Sequence, residues 1–166
     1  LSINRYMNKA QPGDSTESNI HQSHQNDIDL TKDYIFYQTI DIPGIGVLNG
    51  SWDHLEGSDV FLGHTNFEAK TVLDVGPANG FFSFEMEKRG GNVTALDLGQ
   101  DSPWDAVHHQ FLEEVEILEN MRANVRKVEN AFWLAHKALN SNVKLIYGTV
   151  YEVPDRIDST EIALMS

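Results

Sequence analysis

The chain of 166 residues contains no cysteine, which excludes a disulfide framework and a thiolate metal site. That absence fits a reducing, cytoplasmic setting. No apolar run approaches the roughly 20 residues that a membrane-spanning helix needs. The polar start of the chain also lacks the basic-then-apolar pattern of an export signal, so the two glycosylation-like triplets, Asn49-Gly50-Ser51 and Asn92-Val93-Thr94, read as chance. Positive charge is scarce: 12 Lys and Arg stand against 25 Asp and Glu, a formal net charge of −13. So acidic a chain sets up no long-range attraction for phosphate backbones or anionic lipid. Nucleic acid and membranes are disfavoured as partners, and a small-molecule partner is favoured.

What is present divides into three stretches. Residues 1–30 are rich in Gln, Asn, Ser and Asp, with too few apolar side chains to offset the entropy of ordering a backbone, and are expected to be disordered. His21 and His24 lie there without a third ligand nearby, so no metal site is expected. Residues 31–70 form a prelude: a β-prone run over 34–42, punctuated by Pro43-Gly44 and returning over 46–48, predicts a small hairpin. Ser51 is placed to cap a short helix carrying Trp52 and Leu55.

Residues 71–166 carry the pattern of an α/β domain. Thr71-Val72-Leu73-Asp74-Val75 reads as a buried parallel strand, followed by a glycine-rich turn. A helix over 81–89 has Phe81 and Phe84 three apart and Phe82 and Met86 four apart. Gly90-Gly91 ends it, and residues 92–96 form the next strand, completing one βαβ unit. From Phe111 to Leu139 apolar residues recur every three or four positions, a helical stripe read as core rather than as a coiled-coil seam. A break into two helices is expected near Asn120 to Asn124, and His136 is expected on a helix flank. Residues 143–147 and 161–165 supply a third and a fourth strand. A doubly wound, mainly parallel sheet of the Rossmann-like kind needs more strands than these, so the sequence is read as truncated after about four strands.

The chemistry concentrates at Asp74-Val75-Gly76-Pro77-Ala78-Asn79-Gly80, with Asp97 closing the following strand about 20 residues on, the separation seen in dinucleotide folds. A glycine-rich strand-to-helix turn lets a ligand approach the backbone, and a carboxylate at the end of the second strand is placed to accept vicinal ribose hydroxyls. The turn is G-x-A-x-G rather than G-x-G-x-x-G, and Asp74 beside it would repel a pyrophosphate while suiting a methionine amino group. An adenosyl group joined to an amino acid fits this pattern better than a dinucleotide.

These residues resemble motif one of the class I S-adenosylmethionine-dependent methyltransferases. The resemblance extends to methyltransferase-like proteins related to the tRNA uridine-34 carboxymethyl and methoxy enzymes, in which a Tyr-rich hairpin precedes the core. Here that hairpin reads Phe36-Tyr37-Gln38-Thr39-Ile40-Asp41-Ile42-Pro43, with Gln38 where many relatives carry His. The resemblance implies that Asp74 and Gly76, Pro77, Ala78, Asn79 and Gly80 hold the methionine and ribose portions of S-adenosyl-L-methionine. It also implies that Asp97 takes the ribose hydroxyls, Leu98 packs on adenine, and Thr149 and Val150 line its edge. Candidates for the acceptor side are Tyr37, Gln38, Trp52 and His54, with Trp104, His108 and His109 after the second strand.

Methyl transfer needs a positioned donor and acceptor rather than a nucleophilic side chain, which fits the lack of any Ser-His-Asp pattern and leaves no catalytic residue assigned. The sequence thus leads to the expectation of a methyltransferase with a small-molecule acceptor favoured over tRNA, its cofactor-binding half inactive in isolation. Two rivals stay open: an adenine-dinucleotide oxidoreductase with an irregular glycine loop, and a non-catalytic adenosyl-binding scaffold.

Overall fold

A computed structural model describes residues 33–100, 102, 114–152, 157 and 159–165. The sequence's expectations for residues 1–30, and those for His21, His24, Trp104, His108 and His109, fall outside this set. Among the described residues no helix is long and apolar enough to cross a membrane.

Strands β1 (Ile40–Ile42) and β2 (Gly46–Leu48) form the expected antiparallel hairpin. Its inner residues Ile40 and Ile42 are buried. The helix expected from Ser51 does not form. Trp52 is extended instead, its N–H donating to Tyr37 O at 2.8 Å and its carbonyl accepting from Thr39 N at 2.7 Å. Backbone groups spent on this bridge cannot also make helical bonds. The short helix α1 begins later, at Ser58–Phe61.

The domain proper is a parallel four-stranded sheet of β3 (Thr71–Val75), β4 (Asn92–Asp97), β5 (Lys144–Tyr147) and β6 (Ile162–Met165), in the order β5-β4-β3-β6. Register is continuous across it, with Asp74 opposite Ala95 and Leu164, and Asp97 opposite Tyr147. The chain steps from β3 through β4 to β5 on one side and places β6 on the other side of β3, so the order reverses at β3. Open α/β sheets bind ligands outside the strand ends at such a reversal. The architecture is α/β and compatible with a Rossmann-like fold.

Helix α2 (Phe81–Lys88) buries Phe81, Phe82, Phe84 and Met86. Helix α3 runs unbroken from Glu114 to Ala138, so the expected break at Asn120 to Asn124 is absent. That segment holds neither Gly nor Pro, and two asparagines cost only a few tenths of a kcal/mol each in a helix, too little to interrupt it. The carboxy-terminal part of α3 enters the core through Ala131, Phe132, Leu134 and Ala135, and Phe132 lies 5.2 Å from Phe84 between ring centres. His136 is buried, not on a flank. Its Nε2 lies 3.0 Å from Val143 O and its ring packs on Trp133, and burial lowers its pKa.

Candidate functional site

The sharp bend after β3 rests on two left-handed residues, Gly76 (φ 78°) and Ala78 (φ 51°), and on a third, Gly80 (φ 84°), that caps α2. Glycine carries this conformation without the clash that a Cβ makes. Gly76 N donates to Leu96 O at 2.9 Å, tying the bend to the neighbouring strand. Asp97 then turns back towards the bend: its Oδ1 accepts from Leu98 N at 2.8 Å and its Oδ2 from Ala78 N at 3.2 Å. Burial pushes the Asp97 carboxyl up to about 6, against the opposing pull of those two amides.

A cavity of about 350 Å³ opens at this point, lined by Gly76, Ala78, Asp97 and Leu98 from the strand ends and by Tyr37 from the prelude. Its other walls come from α3, through Met121, Val125, Val128, Glu129 and Phe132, and from Leu145 and Tyr147 of β5. Tyr147 O–H accepts from Trp133 Nε1 at 3.1 Å, and burial, then the Glu129 carboxylate, drive its phenol above the usual range. Among the described residues no Lys, Arg or His lines the cavity.

The structure thus brings five of the sequence candidates together, Tyr37, Gly76, Ala78, Asp97 and Leu98, and places the others around them. Asp74 is fully buried and accepts from Ser83 Oγ at 2.6 Å, beneath the bend rather than in the cavity wall. Pro77 is buried. Gly80 sits under the rings of Phe84 and Phe132, where a Cβ would come within 2.6 and 2.7 Å of them. Asn79 is fully buried with its side chain on the backbone of Tyr37 and Gln38. Gln38 is buried as well, and its Oε1 has no hydrogen-bond partner among the described residues. Trp52 is exposed, and His54 packs on Phe61 and Phe82 with ring centres 5.1 and 5.3 Å away. Thr149 and Val150 do not line the cavity, and Val150 is exposed.

The contribution of α3 escaped the sequence reading because an apolar stripe looks the same whether it faces packed core or the wall of a cavity. One signal was available. Glu129 stands four residues after Val125 and three before Phe132, a carboxylate on the apolar face of the helix. Among the described residues, no group of three or more His, Asp or Glu side chains is placed to hold a metal ion.

No protein-family model matches the chain. A local similarity exists to the Ubiquinone biosynthesis O-methyltransferase of Hydrogenovibrio crunogenus, 40% identical over 52 residues, which is 31% of this chain and 22% of that protein. The match therefore spans about a fifth of its relative's length, and on that short stretch the chain is similar to a methyltransferase.

Proposed function

We propose that the chain is the cofactor-binding part of an S-adenosylmethionine-dependent methyltransferase of the class I kind. The observation that carries the reading is Asp97 at the open end of β4. Each of its carboxylate oxygens holds one backbone amide. Each keeps further lone-pair capacity, so the group can accept two vicinal ribose hydroxyls together. The short similarity to an O-methyltransferase supports the same reading.

The residues present fit the cofactor in charge as well. Among the described residues, the ionisable side chains lining the cavity are Asp97, Glu129 and the phenols of Tyr37 and Tyr147. Such a lining suits a cationic sulfonium and opposes a pyrophosphate. Ala78 N, an amide that a dinucleotide phosphate would need, already donates to Asp97. These two features weigh against the oxidoreductase alternative.

S-adenosylmethionine supplies a methyl group made electrophilic by its sulfonium sulfur. The chain's own part is to hold the ribose on Asp97, to place the adenosyl group against Leu98 and the apolar face of α3, and to keep water out through Met121, Val125 and Val128. Among the described residues, Tyr37 is the acceptor-side candidate that reaches the cavity. The net charge of −13 favours a small-molecule acceptor over tRNA, and the relative's printed role in ubiquinone biosynthesis points the same way.

The test is calorimetry with S-adenosylhomocysteine on the protein and on Asp97→Ala. Binding is expected for the first, with a loss of at least about tenfold, or roughly 1.4 kcal/mol, for the second. Unchanged affinity in the variant removes Asp97 from the site. Binding of NADH in place of the adenosyl compound overturns the reading as a whole.

A further inference from the structure

β4 ends at Asp97, opposite Tyr147 of β5. The next three amides all donate to side-chain oxygens: Leu98 N to Asp97 Oδ1 at 2.8 Å, Gly99 N to Ser102 Oγ at 3.0 Å and Gln100 N to Glu129 Oε1 at 3.2 Å. The first two bonds are local, and they shape the turn without fixing where it lies. The third reaches 29 residues along the chain to α3. The Gln100 side chain repeats that reach, its Oε1 accepting from Arg126 Nε at 3.0 Å. Arg126 and Glu129 stand three apart on the helix, so they offer neighbouring groups to one residue. Gln100 is thus held to α3 at its backbone and at its side chain.

This tie has a definite place relative to the cavity. Asp97 and Leu98 line the cavity from the end of β4, while Val125, Val128 and Glu129 line it from α3. Gln100 lies two residues beyond Leu98 and binds the helix within the stretch that forms the second wall. Gly99, between them, lies against β5, where a Cβ would stand 3.4 Å from the Tyr147 side chain. The short segment after β4 is therefore seated on one strand and tied to the helix across from it.

We propose that Gln100 is a positioning residue: by tying the segment after β4 to Arg126 and Glu129 it fixes Asp97 and Leu98 against the α3 wall, and the affinity of the cavity for an adenosyl ligand depends on that tie. The inference rests on the function proposed above. A ligand that touches both walls binds well when they are already held together in the free protein, because ordering a loose segment would be charged against binding. Gln100 does not itself line the cavity, so it acts through Asp97 and Leu98. Glu129 is engaged elsewhere too, since its charge acts on the Tyr147 phenol. Substitutions of Gln100 and Arg126 therefore isolate the tie where a substitution of Glu129 would not.

The experiment reads the tie without ligand and with it. In the unliganded protein, hydrogen exchange followed by NMR is expected to quicken about threefold or more at the Gln100 amide in Arg126→Ala and at the Leu98 amide in Gln100→Ala. In calorimetry with S-adenosylhomocysteine, Gln100→Ala and Arg126→Ala are each expected to bind about fivefold more weakly than the unaltered protein. The double variant is expected to lose no more than either single one, because both remove the same bond. Gln100→Glu keeps an acceptor for Arg126 and is expected to bind within about twofold of the unaltered protein. Full affinity in Gln100→Ala, losses that add in the double variant, or a loss that Gln100→Glu fails to rescue overturns the inference and leaves the cofactor assignment standing. Quickened exchange in a protein that binds no S-adenosylhomocysteine overturns the assignment, and with it the ligand role of Gln100, while upholding the tie.

Discussion

Asn79 and Gln38 hold each other in both directions: Asn79 Oδ1 accepts from Gln38 N at 2.9 Å, and Asn79 Nδ2 donates to Gln38 O at 3.0 Å. The same Oδ1 accepts from Tyr37 N at 3.0 Å. One fully buried amide in the bend thereby fixes the prelude and sets Tyr37 at the cavity mouth. Asn79→Ala leaves three backbone groups at a largely buried site without partners. A loss of about 2–4 kcal/mol is expected, read by urea unfolding, together with weaker S-adenosylhomocysteine binding. A loss below about 1 kcal/mol would mean that water replaces the amide and the clamp is dispensable.

Gly80 serves packing as well as backbone. An added Cβ would meet Phe84 at 2.6 Å and Phe132 at 2.7 Å, at a φ of 84°. Gly44, at the hairpin tip, has a similar φ of 80° with nothing within 4 Å. Gly44→Ala should therefore cost only the left-handed backbone penalty of about 1–2 kcal/mol. Gly80→Ala should cost that plus about 1–3 kcal/mol of overpacking. Equal losses of melting temperature in the two variants would show that the rings move aside freely.

Asp97 gives a pH dependence of defined sign. Its folded-state pKa of about 6 lies above the 3.8 of an ordinary aspartate, so between those values the folded chain binds more protons than the unfolded one. Its contribution to stability is largest at low pH and declines as pH rises through about 6. The difference in unfolding free energy between the protein and Asp97→Asn should therefore shift against the unaltered protein from about pH 4 to about pH 6, and stay flat above about pH 7. Adenosyl binding should run the other way, tightening as Asp97 ionises. A difference that does not vary with pH would place Asp97 in water.

Much of the fold was legible because its signals are local. The hairpin follows from β-prone residues broken by Pro43-Gly44, although its first strand keeps only Ile40–Ile42 of the expected 34–42, and all four sheet strands fall within a residue or two of their expected limits. The bend and Asp97 were legible for the same reason: a glycine-rich turn and a strand-terminal carboxylate are short patterns with a stereochemical cause. Ser51 misled because a capping residue is only a local preference, and Trp52 had a stronger use for its backbone in pairing with Tyr37 and Thr39. His136 misled because helical periodicity does not say how far the partner surface wraps around a helix.

Composition and pattern alone thus decided the α/β class, the strand order's raw material, the acidic character and the bend that a ligand can approach, since each depends on neighbours within a few positions. Only the tertiary structure decided which candidates meet. Hydrogen bonds between residues about forty apart carried Tyr37 to the bend and took the side chain of Asn79 out of ligand reach. The packing of α3 across the strand ends added Glu129 opposite a site to which its sequence position gave no link. Such pairings arise from the free energy of closing a common core, and that is a property of the whole chain rather than of any segment.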